Sequence, residues 1–387
     1  MKGASLPSVL LILITSACVD RINFDVPNGF AYGIVVDGFI SDQPGPYTVK
    51  INTGHDLTDK IERTFISAKS VTISDNLGNS ELLTNLDRGV YQTSPNGIRG
   101  TAGRAYILRV ELFDGRIYES IPDTLRNSGV VDSVYYTFKK TGESSLGTGS
   151  SSYGFDIFFD ASSSVRDDFY YLWKFTGTFQ VDTNPELYDD FPCSGNIDCP
   201  GCSVCNIIPK CTGLRNIGTP LQPVFKRIGP CECCTCWYNI FNEEPIISDN
   251  QLLEFGRYKG IKAGHIPVHQ WIFQHKVYAE VNQMSLSRQT FAFWKSIKDQ
   301  KDANNSLFQP ITGKIPSNFV QLSGTTATIE GLFYAASLSN KRILITRKDV
   351  PDKTFIFPTQ DPPDPIALSC LDLYPNSFTQ KPSFWED

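Results

Sequence analysis

Cysteine carries most of the chemistry available to this chain. Eleven are present, and nine of them fall within residues 193–236. Thiols at that density pair as disulfides, hold zinc or hold an iron–sulfur cluster. The run Cys199-x2-Cys202-x2-Cys205-x5-Cys211 approaches a cluster spacing, but the bacterial motif closes with x3 and a proline. Cys199/Cys202 with Cys231/Cys234 would form two C-x2-C zinc knuckles. Which reading holds depends on the compartment, and the first cysteine bears on that. Cys18 follows a short positive start at Lys2, a mostly apolar run over residues 6–14, and the small residues Thr15, Ser16 and Ala17. That is the pattern of a secretory signal ending in a lipobox, with Thr15 where Leu is usual. The apolar run is far shorter than the ~20 residues a spanning helix needs. Cleavage before Cys18 and its lipidation would anchor the mature chain by acyl chains. The alternative is ordinary cleavage that leaves Cys18 free.

Export leaves ten cysteines in an oxidising compartment: Cys193, Cys199, Cys202, Cys205, Cys211, Cys231, Cys233, Cys234, Cys236 and Cys370. An even, clustered set there is expected to form disulfides rather than a metal site. Ten cysteines allow about 945 pairings, so connectivity stays open. A bond from Cys370 to the main block would pin a proline-rich tail.

The other reactive side chains form no recognisable catalytic set. His265, His269 and His275 lie close together, but Pro267 prevents a helical i, i+4 pair. On one strand their even spacing would place them on one face, which admits a metal reading beside that of solvated strand histidines. The other histidine is His55. The adjacent carboxylates Asp167-Asp168 and Asp189-Asp190 would point to opposite faces of a strand, so neither is an acid/base dyad. G-x-S-x-G, H-E-x-x-H and Walker loops are absent from the sequence. No enzymatic activity and no cofactor are expected. Aromatics that could stack on a ligand are Tyr170, Tyr171, Trp173, Trp237, Tyr238, Trp271 and Trp294. Trp237 and Tyr238 are the preferred ligand contacts, because they flank the cross-linked block and a pre-ordered platform loses less freedom on binding.

The elements that must position these residues are mainly strands. Basic residues number 35 and acidic ones 41, well mixed, so nucleic acid is not expected as a partner. With 12% aromatics, 29 Gly and 24 Pro, the chain suits a β-rich, loop-rich exported protein. Residues 19–32 read as a tether. Residues 33–125 hold short alternating strands and read as an immunoglobulin-like β-sandwich. Tyr106, Leu108, Val110 and Leu112 fall on one face there, with Arg109 and Glu111 on the other. Asp114-Gly115 predicts a tight hairpin, in which both turn residues would need positive φ. Residues 122–129 read as the boundary. Residues 130–387 form a larger β-rich domain carrying the cysteine-rich insertion 193–236. Its strands are expected near 134–138, 153–160, 169–181, 271–281, 326–335 and 342–347, with a loop over 141–152. Its one helix is expected over 285–301, with Leu286, Phe293, Trp294 and Ile297 on a single stripe.

From residue 281 onward "VNQMSLSRQTFAFWKSIKDQ", "LFQPITGKIPSNF" and "GLFYAASLSNKRILITR" come in that order. With "VVDGFISDQPGPYTVKI" near the start, "CCTCW" at residues 233–237 and "KPSFW" near the end, the chain resembles the domain-of-unknown-function 4249 family of Bacteroidetes outer-membrane lipoproteins. The middle aromatic of the family's Gly-Tyr-Phe strand is Leu332 here. The resemblance implies a lipid-anchored protein of the outer membrane, facing the cell surface. It implies a TonB-dependent transporter as partner, with this protein binding or gating a nutrient. A structural or adhesive surface role is the alternative. The resemblance brings no catalytic residues.

Overall fold

The computed structural model describes residues 33–53, 65–127, 129–141, 152–163, 170–187, 210–218, 224–242, 244–248, 253–254, 256–304, 315, 317–324, 329–351, 366–374 and 376–386. The signal segment with Cys18, the tether, His55, both aspartate pairs and Cys193, Cys199, Cys202 and Cys205 lie outside these residues. So does most of the expected loop 141–152.

The chain is mainly β, and among the described residues four larger sheets form two facing pairs, with a small hairpin of Leu214–Asn216 and Phe225–Arg227 beside them. In the first pair, one sheet runs Ile329–Ala336, Ile34–Ser41, Thr48–Thr53, Val90–Gln92 and Thr84–Asp87. The other runs Phe319–Ser323, Ile117–Ser120, Ala105–Leu112, Ala68–Asp75 and Ser80–Leu82. Alternation builds the core between them. Tyr106, Leu108 and Val110 are fully buried, while Arg109 pairs with Glu119 and Glu111 with Lys69 on the outer face. Asp114-Gly115 does turn the chain between two paired strands. Only Gly115 takes positive φ, at 86°, and the Asp114 carboxylate accepts from the Arg116 N–H instead. One left-handed residue therefore suffices in this longer turn.

The first sandwich is not made from residues 33–125 alone. Ile329–Ala336 pairs in parallel with Ile34–Ser41, and Phe319–Ser323 pairs with Ile117–Ser120. Each returning strand covers a backbone edge that the N-terminal segment would leave bare, and Phe319, Phe333 and Ala335 join its core. The outer edge of Ile329–Ala336 is closed by side chains. The Asn318 amide donates to the Phe333 carbonyl at 2.6 Å and accepts from the Phe333 N–H at 3.1 Å. The buried Asp123 carboxylate accepts from the Ala335 N–H and the Thr290 hydroxyl. Burial raises the Asp123 pKa, against the hydrogen bonds it accepts. The expected boundary at 122–129 therefore falls partly inside the first sandwich, where Leu125 is fully buried.

A turn in this sandwich carries a pH signature. Burial alone would raise the Asp75 pKa. Hydrogen bonds from Asn79, from the Leu77 N–H and from the Arg104 guanidinium outweigh it and hold the group at about 2. A folded value below the unfolded ~3.9 means that the folded state binds fewer protons. The stability it contributes is present above about pH 4 and is lost as pH falls toward 2. Urea titrations of Asp75→Asn should show a deficit at pH 7 that shrinks toward pH 3. A deficit of equal size at both pH values would contradict this.

The second pair of sheets packs around Phe155, Phe159, Trp173, Phe175, Phe179 and Phe273. One sheet holds Val130–Thr141, Ser152–Ser162, Arg257–Pro267 and Leu253–Glu254. The other holds Thr235–Phe241, Tyr171–Asp182, Lys276–Ser285 and Leu338–Thr346. The helix is Arg288–Asn304. It starts later than expected because Ser285 still pairs with Tyr171, and the Ser287 hydroxyl accepts from the Thr290 N–H as a cap. The helix lies on the outer face of the second sheet. Leu172, Met284, Leu286, Leu332 and Tyr334 are therefore buried there beside Phe291, Phe293 and Trp294.

Candidate functional site

Six of the expected disulfide cysteines are described, and all six are bonded. The pairs are Cys211–Cys233, Cys231–Cys234 and Cys236–Cys370. Cys231 and Cys234 bond to each other, which removes both thiolates from the zinc pairing with Cys199 and Cys202. The bond to Cys370 brings the tail back across the strand Thr235–Phe241. There Phe378 exchanges backbone hydrogen bonds with Trp237 at 2.8 and 2.9 Å.

That return changes the expected ligand platform. Trp237 is 7% exposed and packs edge-on to Trp385, with Tyr278, Phe378 and Phe384 around it. Tyr238 lies against Phe179 and Tyr374, with ring centroids 5.3 and 4.9 Å away. The aromatic surface predicted for a ligand is thus occupied by the chain's own tail. The cross-linked tail packs there as core.

The histidines separate as well. Arg257–Pro267 ends before His269, and the next strand begins at Lys276, so a turn replaces part of the strand expected over 271–281. His265 pairs with Asp156, which also binds Lys139 and Lys262. Burial would raise Asp156, but hydrogen bonds from Lys139, Lys262 and His265 hold its carboxyl well below the usual range. His275 pairs with Asp182 at 2.6 Å, and His269 stacks edge-on to Trp271. Among the described residues, no three His, Cys, Asp or Glu are grouped to hold a metal.

The feature that sequence reasoning missed lies beside the helix. A cavity of about 270 Å³ opens between Arg288–Asn304 and the outer face of Tyr171–Asp182. Leu172, Phe241, Pro245, Trp294 and Ile297 give it apolar walls, and Lys174, Asn242, Glu244 and Lys301 add polar groups. Lys174 is central. Its Nζ lies 5.7 Å from the Phe39 ring centroid and 5.6 Å from that of Trp294. Desolvation lowers its pKa, and the nearby charge of Asp37 works weakly the other way. Among the described residues Lys174 makes no ion pair. The strand is held from behind, where the Trp173 indole N–H donates to the buried Gln283 side chain at 2.7 Å. Asn242 fixes the facing loop by accepting from the Phe175 N–H at 3.2 Å.

Two signals for this site were present in the sequence. Lys174 is a lone cation in an apolar, aromatic strand, and Trp294 lies on the helix stripe. Their meeting depends on helix and strand packing that local pattern does not encode.

No curated protein and no solved structure matches the chain. Residues 19–342 match the family described as Domain of unknown function (DUF4249). That match spans most of the sequence, so this protein, a mainly β chain with a lysine-bearing cavity under the helix Arg288–Asn304, belongs to the DUF4249 family.

Proposed function

We propose that this protein is a non-catalytic capture component of an outer membrane, anchored by lipid at Cys18 and serving a TonB-dependent transporter. The observation that carries the capture role is the cavity at Lys174. Apolar walls around one orienting charge are the usual make-up of a small-molecule site. The family resemblance supports the choice of partner. A tether over residues 19–32 could extend about 45 Å, enough for the body to reach over a barrel while anchored. The test compares cells with and without the gene. Loss of uptake at limiting nutrient, with surface attachment unchanged, is the expected result. Lost attachment with normal uptake would favour the adhesive role instead.

A further inference from the structure

We propose that the cavity beside Arg288–Asn304 binds a small amphipathic carboxylic acid, its carboxylate on Lys174 Nζ and its apolar body against Leu172, Phe241 and Ile297. The inference rests on the capture reading for its biological purpose, while the binding itself is a property of the isolated protein.

Three observations converge on an anion. An ammonium removed from water is costly unless it is paired and hydrogen-bonded. Lys174 is half-buried between Phe39 and Trp294, and among the described residues it has no carboxylate partner. Elsewhere the fold supplies partners freely: Lys139 and Lys262 share Asp156, and Lys69 takes Glu111. Among the described residues no carboxylate therefore forms an ion pair with Lys174, and Asp37 acts on it only as a nearby charge. Ring faces attract the cation but cannot replace a carboxylate as acceptor.

The walls select the rest of the molecule. Apolar side chains from the strand, the loop and the helix surround the cavity, so a fully polar anion such as phosphate or sulfate would lose hydration without recompense. Glu244 lines the same cavity and disfavours a second negative group. A volume of about 270 Å³ suits a single aromatic or short aliphatic acid, not a peptide or glycan.

The test titrates the purified full-length protein with phenylacetate by calorimetry at pH 7. Phenethylamine and 2-phenylethanol serve as cationic and neutral controls of the same shape. Phenylacetate should bind saturably and the two controls at least tenfold more weakly. Lys174→Met should weaken phenylacetate by about tenfold or more, the scale of a lost charge-assisted contact. Because Lys174 makes no ion pair among the described residues, Lys174→Met should leave the urea midpoint unchanged or raised, which separates lost binding from lost folding. Ile297→Trp keeps the lysine and fills the cavity, and it should abolish binding. Absence of saturable phenylacetate binding, equal binding of all three probes, or unchanged affinity in Lys174→Met would overturn the proposal. The capture reading fails separately, if cells lacking the gene take up nutrients normally.

Discussion

Replacing both members of Cys236–Cys370 with serine should destabilise the protein more than removing either other described disulfide. The reason is loop length. Cys236 and Cys370 are 134 residues apart, against 22 for Cys211–Cys233 and 3 for Cys231–Cys234. Chain-entropy estimates give about 5, 3 and 2 kcal/mol in that order, through lost freedom of the unfolded state. The native state points the same way. Cys370 is 1% exposed, and its bond holds a tail that covers Trp237 and contributes Trp385, itself 5% exposed. Urea midpoints of the three double-serine variants would check the ranking. A Cys231/Cys234 variant as damaged as the Cys236/Cys370 variant would show that the tail is held chiefly by its aromatic packing.

The second large effect concerns location. Cys18→Ala removes the only residue on which the expected acyl chains could be built. A single acyl chain gives marginal membrane binding, and stable anchoring takes two signals or more. No helix among the described residues is long and apolar enough to cross a membrane. Fractionation should move the variant almost wholly from the membrane pellet to the soluble fraction. A variant that still sediments and resists extraction would refute lipidation at this position.

How much of this could be seen in the sequence follows from the range of the forces involved. Strand faces were legible because alternation is local. Tyr106, Leu108, Val110 and Leu112 line the core as their spacing predicts. The helix stripe was legible in part: Phe293 and Trp294 meet Leu286, which precedes the helix, in one apolar cluster, while Ile297 lines the cavity instead. The division of the chain was not legible. The pairing Ile34↔Ile329 joins residues nearly three hundred apart, and no local pattern announces which sheet a returning strand will enter. The Trp237 platform failed for a similar reason, since what covers that ring comes from the far end of the chain. Lys174 reads in sequence as an outward strand lysine in water. Only the helix laid across that face, and Phe39 from the first sandwich, half-bury it and set it at a cavity.

Capture for a transporter is the central claim, and its most direct measurement is composition. The native protein, tagged at its C-terminus, would be affinity-purified from detergent-solubilised outer membranes and its companions quantified by mass spectrometry. The account predicts one β-barrel transporter at near-equal amount, retained through washing. Recovery of this protein alone, or with only trace and variable barrels, would contradict it.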